Sequence, residues 1–201
     1  MTDKKGFTLM ELLVSMAIFG VISGLVVVNF RAGARGDELR LAAESVAAAL
    51  RDAEARTAAG VQSSACAGGT RANLLCPNGA VDCDEGVCLT KSPSGGYGVA
   101  ASPGADSVAL FADHNGDGLF QDGEDLQNLR LSPTGNVIIE TIVPDGLGSV
   151  ITFLPPAGKA LINGAEADLE FAVLLKHLAT GSRRRVSANR VSRLVEVTTP
   201  P

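Results

Sequence analysis

The chain has 201 residues, 46 % of them apolar, with 23 glycines, 9 prolines, no tryptophan and a formal net charge of −5. That is room for one folded domain beyond a leader and a helix; it is too apolar for a disordered chain, and no recurring period marks a repeat array. It has two histidines, His114 and His177, and no Ser/His/Asp spacing, nucleophile elbow or glycine-rich phosphate loop, so enzyme activity is not expected.

Lys4 and Lys5 precede Gly6, and Phe7-Thr8-Leu9-Met10-Glu11 leads into residues 12–28, which carry neither charge nor proline. A helix over residues 9–28 rises about 1.5 Å per residue and covers roughly 30 Å, one hydrocarbon core. The two lysines put the N-terminus on the cytoplasmic side. A secretory signal peptide has an apolar region of about 7–15 residues that ends in small residues. Val26-Val27-Val28-Asn29-Phe30 does not offer that ending. Glu11 is costly at the edge of a membrane helix unless it is paired. Cleavage after Gly6 makes Phe7 a new N-terminus, and a neighbouring subunit's amine would then meet the Glu11 carboxylate in a stacked filament.

The segment Lys5-Gly6-Phe7-Thr8-Leu9-Met10-Glu11-Leu12-Leu13-Val14 resembles the processing signature of the type IV prepilin family. The resemblance implies that prepilin peptidase cuts between Gly6 and Phe7 and methylates the Phe7 amine, and that Glu11 sets subunit register. It also implies a single-pass protein of the inner membrane with its C-terminal domain in the periplasm. Its partners would be other pilin or pseudopilin subunits and an inner-membrane assembly platform. Residues 1–6 are then a leader, 7–30 a transmembrane and assembly helix, 31–59 the amphipathic half of the same helix, and 60–201 a β-rich periplasmic domain.

Over residues 37–59 the apolar positions Leu39, Ala42, Ala43, Val46, Leu50 and Ala53 recur at three- and four-residue steps. Arg40, Glu44, Arg51, Glu54 and Arg56 fill the other face, so the stripe is built to lie on a sheet. Gly33 and Gly36 weaken the helix at the junction of its halves, and a hinge or partial melting is expected there. Gly20 and Gly24 form a GxxxG, which serves either helix association or close packing without a dimer.

All four cysteines, Cys66, Cys76, Cys83 and Cys88, fall in one short stretch. Beyond a bacterial inner membrane that usage suggests disulfides. Of the three pairings, Cys66–Cys76 with Cys83–Cys88 closes two short local loops and is favoured. Spacers of nine, six and four residues fit a zinc site poorly. The bridges are expected to clamp a surface loop with little apolar area of its own.

Short strands are predicted at 97–101, 107–112, 126–131, 137–141, 149–154, 160–163, 168–175, 184–188 and 191–197. Turn residues separate them, among them Pro103-Gly104, Asn115-Gly116, Pro133-Thr134-Gly135-Asn136, Pro144-Asp145-Gly146, Asn163-Gly164 and Thr180-Gly181. One long N-terminal helix, half membrane and half amphipathic, packed on an antiparallel sheet gives a pilin-like α+β fold.

Residues Asp113 to Glu124 fit the loop pattern D-x-N-x-D-G-x5-E. Asp113, Asn115, Asp117, the Leu119 carbonyl and Glu124 would supply oxygens to calcium, and Gly118, at loop position six, the sharp turn. The alternative is a Gly/Asp-rich hairpin whose carboxylates cap turns. Phe111-Ala112-Asp113-His114-Asn115-Gly116-Asp117-Gly118, continued by Asp122-Gly123-Glu124-Asp125-Leu126, is also similar to a stretch of the GspH/FimT minor pilins. Ile151-Thr152-Phe153-Leu154-Pro155-Pro156-Ala157-Gly158-Lys159-Ala160 resembles that family's strand-turn-strand. The family implies a minor subunit near the tip of a type II secretion pseudopilus, or of a type IV pilus.

From 176 to 193 stand Lys176, Arg183, Arg184, Arg185, Arg190 and Arg193, with no acidic residue. Such a cluster would track DNA phosphates, sit on a solvated edge hairpin, or dock an acidic neighbour subunit. Some FimT proteins bind DNA through a C-terminal G-R-x-R motif. Gly181-Ser182-Arg183-Arg184-Arg185 and Asn189-Arg190-Val191-Ser192-Arg193 come nearest to it, with different spacing. The expected function is a structural minor pilin or pseudopilin. The alternative is a DNA-binding minor pilin acting in DNA uptake through Arg183, Arg184, Arg185, Arg190 and Arg193.

Overall fold

The computed structural model describes residues 9–67, 74–76, 82–83, 86–144, 148–156 and 159–200, with the side chains of 26–34 and 82 outside that set. The chain divides into two units, Met1–Asp37 and Glu38–Pro201.

In the first unit every described residue is helical, as part of α1 (Leu9–Ala58). Gly33 and Gly36 are helical too, and no break interrupts the element where a hinge was expected. Lost backbone entropy at two glycines costs about 1 kcal/mol each, too little to stop a helix that has nucleated on both sides. The large apolar side chains Leu9, Met10, Leu12, Leu13, Val14, Met16, Ile18, Phe19, Val21, Ile22 and Leu25 are all exposed. Among the described residues no helix is long and apolar enough to cross a membrane, and the described apolar side chains stop at Leu25.

The second unit is α+β. The rest of α1 buries the predicted stripe of Leu39, Ala42, Ala43, Val46, Leu50 and Ala53, together with Ala47 and Ala49. Small residues let the strands come close, and this stripe joins one hydrophobic cluster with residues of two sheets. The helix ends at Gly60, whose φ of 60° only glycine adopts freely. There the Val61 amide donates to the Arg56 carbonyl at 3.0 Å and the Gly60 amide to the Thr57 carbonyl at 3.1 Å, closing the last turn on itself. Thr57 then accepts from the Tyr97 amide, and the Tyr97 hydroxyl donates to the Val61 carbonyl, tying the helix end to a strand.

Twelve strands follow among the described residues: β1 (Ser63–Ala67), β2 (Asp82–Cys83), β3 (Gly86–Lys91), β4 (Gly96–Ala101), β5 (Ser107–Asp113), β6 (Asp125–Arg130), β7 (Val137–Val143), β8 (Ser149–Leu154), β9 (Lys159–Ile162), β10 (Glu170–His177), β11 (Arg183–Asn189) and β12 (Val195–Thr198). They form a five-stranded sheet, β6-β5-β4-β8-β9, a four-stranded sheet, β12-β11-β10-β7, and a three-stranded sheet, β1-β3-β2. Every described pairing is antiparallel. Alternate residues of the two larger sheets, such as Val99, Leu110, Ile151, Val173 and Val186, face the common core.

The cysteine region departs from its expectation as a loop. Cys66 lies opposite Cys88 in the β1–β3 register, and Ala65 and Cys66 are buried. The bridges join Cys66 to Cys83 and Cys76 to Cys88, not the favoured neighbours in sequence. The fold gathers all four sulfurs within 4.8 Å of one another, so each cysteine has more than one partner in reach and loop length no longer selects the pair.

Candidate functional site

Gly6 and Phe7 lie outside the described residues. Glu11 stands in the first turn of α1, where a carboxylate complements the helix dipole. The Ser15 hydroxyl donates to the Glu11 carbonyl at 2.7 Å. Beside Gly20 and Gly24 a Cβ would meet nothing, so the GxxxG leaves a smooth strip on an apolar helix.

The acidic loop is the connection between β5 and β6, closed by the Ala112 amide donating to the Glu124 carbonyl at 3.1 Å. The turn glycines Gly116, Gly118 and Gly123 have φ of 81°, 74° and 94°. Gly118 is the residue at loop position six, as the pattern requires. Asp113 is fully buried, and its two carboxylate oxygens accept from the Gly116 amide at 2.6 Å and the Gly118 amide at 2.8 Å. Burial raises the Asp113 carboxyl, and these two amides oppose the rise. Asn115 Oδ1 accepts from the Asp117 amide at 3.0 Å, and Asp117 Oδ1 from the Leu119 amide at 2.8 Å. Asp117 Oδ2 accepts from the Asn115 and Gln121 side-chain amides.

The loop is pinned on several sides. Phe120 meets buried Phe111 edge-on at 5.4 Å, the Thr152 hydroxyl donates to the Gly118 carbonyl, and the Leu75 amide donates to the Gly123 carbonyl at 2.8 Å. Ser63 Oγ of β1 lies 2.8 Å from His114 Nε2. The disulfide-linked sheet therefore covers one flank of the loop. Burial, with the Lys91 charge, pushes His114 down to about 4. Glu124 is also fully buried. Its Oε2 accepts from the Gln121 amide at 3.0 Å, whereas its Oε1 has no hydrogen-bond partner among the described residues. Burial pushes this carboxyl up to about 7, and the Asp113 and Asp117 charges add to the rise.

The predicted basic cluster is brought together on the end of β10, on β11 and on the turn after it, where most of its charge is met by carboxylates. Arg183 Nε lies 2.5 Å from Glu140 Oε2, and Lys176 Nζ 2.9 Å from Glu140 Oε1. Glu140 reaches both because it is the extra residue of a bulge in β7, between the partners of Leu174 and Leu175. Arg183 first, then Lys176, hold its carboxyl down at about 2. Arg185 pairs with Glu170 at 2.8 Å and Arg193 with Glu54 at 3.3 Å. Arg190 lies 3.8 Å from Glu166 and donates to the Asp168 carbonyl at 2.8 Å. Arg184 makes no ion pair among the described residues. β11 runs between β12 and β10, so the cluster is not on the expected sheet edge.

Sequence reasoning missed Glu38. Its carboxylate accepts from the Ser132 and Thr134 hydroxyls, and His177 Nε2 lies 3.4 Å away. Ser132 first, then Thr134, hold this carboxyl below its ordinary range, with His177 adding and burial opposing. The signal in sequence was faint: a Glu on the helix and a Ser-x-Thr turn 94 residues later.

Residues 1–27 match the family model described as the prokaryotic N-terminal methylation motif. No curated protein and no solved structure matches the chain.

Proposed function

We propose that this chain, marked by its first 27 residues as a type IV pilin-like protein processed by prepilin peptidase, is a minor pilin or pseudopilin of the GspH/FimT kind. It is a structural subunit of a secretion pseudopilus or a type IV pilus. The observation that carries the reading is Glu11, an acid in the first turn of a helix whose described apolar side chains up to Leu25 all point outward. A helix apolar all round needs lipid or other helices to cover it. Residues 12–28 supply the anchor that holds the subunit in the inner membrane before assembly. Extraction into a filament exchanges lipid for neighbouring helices, and a freshly cut Phe7 amine on the next subunit offsets the cost of burying Glu11. The disulfides support a periplasmic body.

The DNA-uptake reading is less well supported. Arg183, Arg185, Arg190 and Arg193 already face carboxylates, which leaves Arg184 as the remaining phosphate contact of the cluster.

Intact-mass measurement on protein from the native host tests the main reading. The expected N-terminus is a methylated Phe7. Glu11→Ala is expected to be processed and retained in the membrane yet lost from filaments. Retention of residues 1–6 would sink the proposal.

A further inference from the structure

We propose that residues 113–124 form a calcium site, in which Asp113, Asn115, Asp117 and Glu124 supply side-chain oxygens and Leu119 its backbone carbonyl. Turn capping explains most of this loop, since Asp113, Asn115 and Asp117 all accept from loop amides. It does not explain Glu124. That side chain is fully buried, its Oε2 accepts from the Gln121 amide, and its Oε1 has no hydrogen-bond partner among the described residues. A buried carboxylate oxygen left without a donor costs about 1–3 kcal/mol or more.

Four carboxylates, Asp113, Asp117, Asp122 and Glu124, share twelve residues, Asp113 and Glu124 out of water, and none forms an ion pair among the described residues. A hard cation bound among these oxygens neutralises them. Oxygen donors at loop positions 1, 3, 5, 7 and 12, with a left-handed glycine at position 6, are the donor set that calcium takes at 2.3–2.6 Å. Here the frame is a β-hairpin, with β5 and β6 in place of flanking helices. The φ of 74° at Gly118 and the amides that hold Asp113 set the first half of the loop before any ion arrives. The site would behave as an extracellular module with Kd on the order of 10⁻⁴–10⁻³ M.

Calorimetric titration and thermal melting of the purified, EDTA-washed full chain test the proposal, with CaCl2 and MgCl2 at matched ionic strength. The expected result is one Ca2+ bound per chain and a Tm raised by about 5 °C at about 10 mM calcium, with magnesium far less effective. Glu124→Gln is expected to raise the calcium-free Tm, because a neutral amide replaces a buried charge, and to weaken calcium binding at least tenfold. Should Glu124→Gln not fold, Asp117→Asn, which is exposed, is expected to weaken binding by a similar factor. No heat and no shift with calcium would overturn the site. So would equal shifts with the two metals, or unchanged calcium affinity in the folded variants.

Discussion

Single residues at buried polar contacts set the clearest tests. Glu38 holds two hydroxyls of the turn after β6 and lies against His177, so it ties α1 to the far end of β10. Its carboxyl is held below the ordinary glutamate value of about 4.5. The unfolded chain therefore takes up the proton first as pH falls, and the contribution of Glu38 is fully present above about 4.5 and lost as pH drops through its folded value. Glu38→Gln is expected to lose on the order of 1 kcal/mol at neutral pH, where the wild-type contact is charged. It should also flatten the acid limb of stability, read by denaturant melts on either side of pH 4.5. Gly95 is a second such residue. A Cβ there would run into the carboxylate of Asp113, which is buried and held by two amides, and so has nowhere to move. Gly95→Ala is expected to lower the Tm by several degrees, more than Gly104→Ala at an open turn whose cost is the left-handed φ alone.

Elements carry the energy of the body. The buried stripe on α1 is mostly alanine, so Leu39, Val46 and Leu50 are its large side chains, and Val46 and Leu50 are completely buried. Leu50→Ala is expected to cost about 2–5 kcal/mol in chemical denaturation, against a few tenths for Arg40→Ala on the solvent face. The three-stranded sheet has little apolar area, and its two bridges replace a core. Arg71, Asp82 and Glu85 lie between the successive cysteines, so cleavage at all three separates them. Non-reducing peptide mapping is expected to recover Cys66 linked to Cys83 and Cys76 linked to Cys88.

Across the whole molecule the small sheet and the acidic loop are one mechanical assembly. Leu75, next to Cys76, donates to the Gly123 carbonyl, and Ser63 of β1 meets His114. Removing the Cys76–Cys88 bridge as a paired alanine variant is expected to cost about 3 kcal/mol. The same variant is expected to speed hydrogen exchange at the amides of residues 121–124, a readout that a purely local loss would leave unchanged. The N-terminal apparatus is the opposite case. In the proposed reading Gly6, Phe7 and Glu11 work through covalent processing and through other subunits, so a contiguous string of residues, the matched motif of 1–27, carries all of it. The helix stripe and the nine strands predicted after residue 96 were legible for a related reason: periods of 3.6 and 2 are local properties of a chain, and glycine-rich turns mark their ends. The strands of the cysteine sheet were not legible, because β1 and β3 find each other across more than a dozen residues and neither has an alternating apolar pattern. Nor was the pairing of the arginines, whose carboxylate partners sit on β7, before and within β10, and on α1. What the sequence by itself determined was that the chain carries a prepilin-type N-terminal motif, which of its faces are apolar and which loop is rich in side-chain oxygens. Only the tertiary structure decided which charges are neutralised, which sulfurs meet and which carboxylate is buried, because burial and pairing depend on what distant segments bring to the same place.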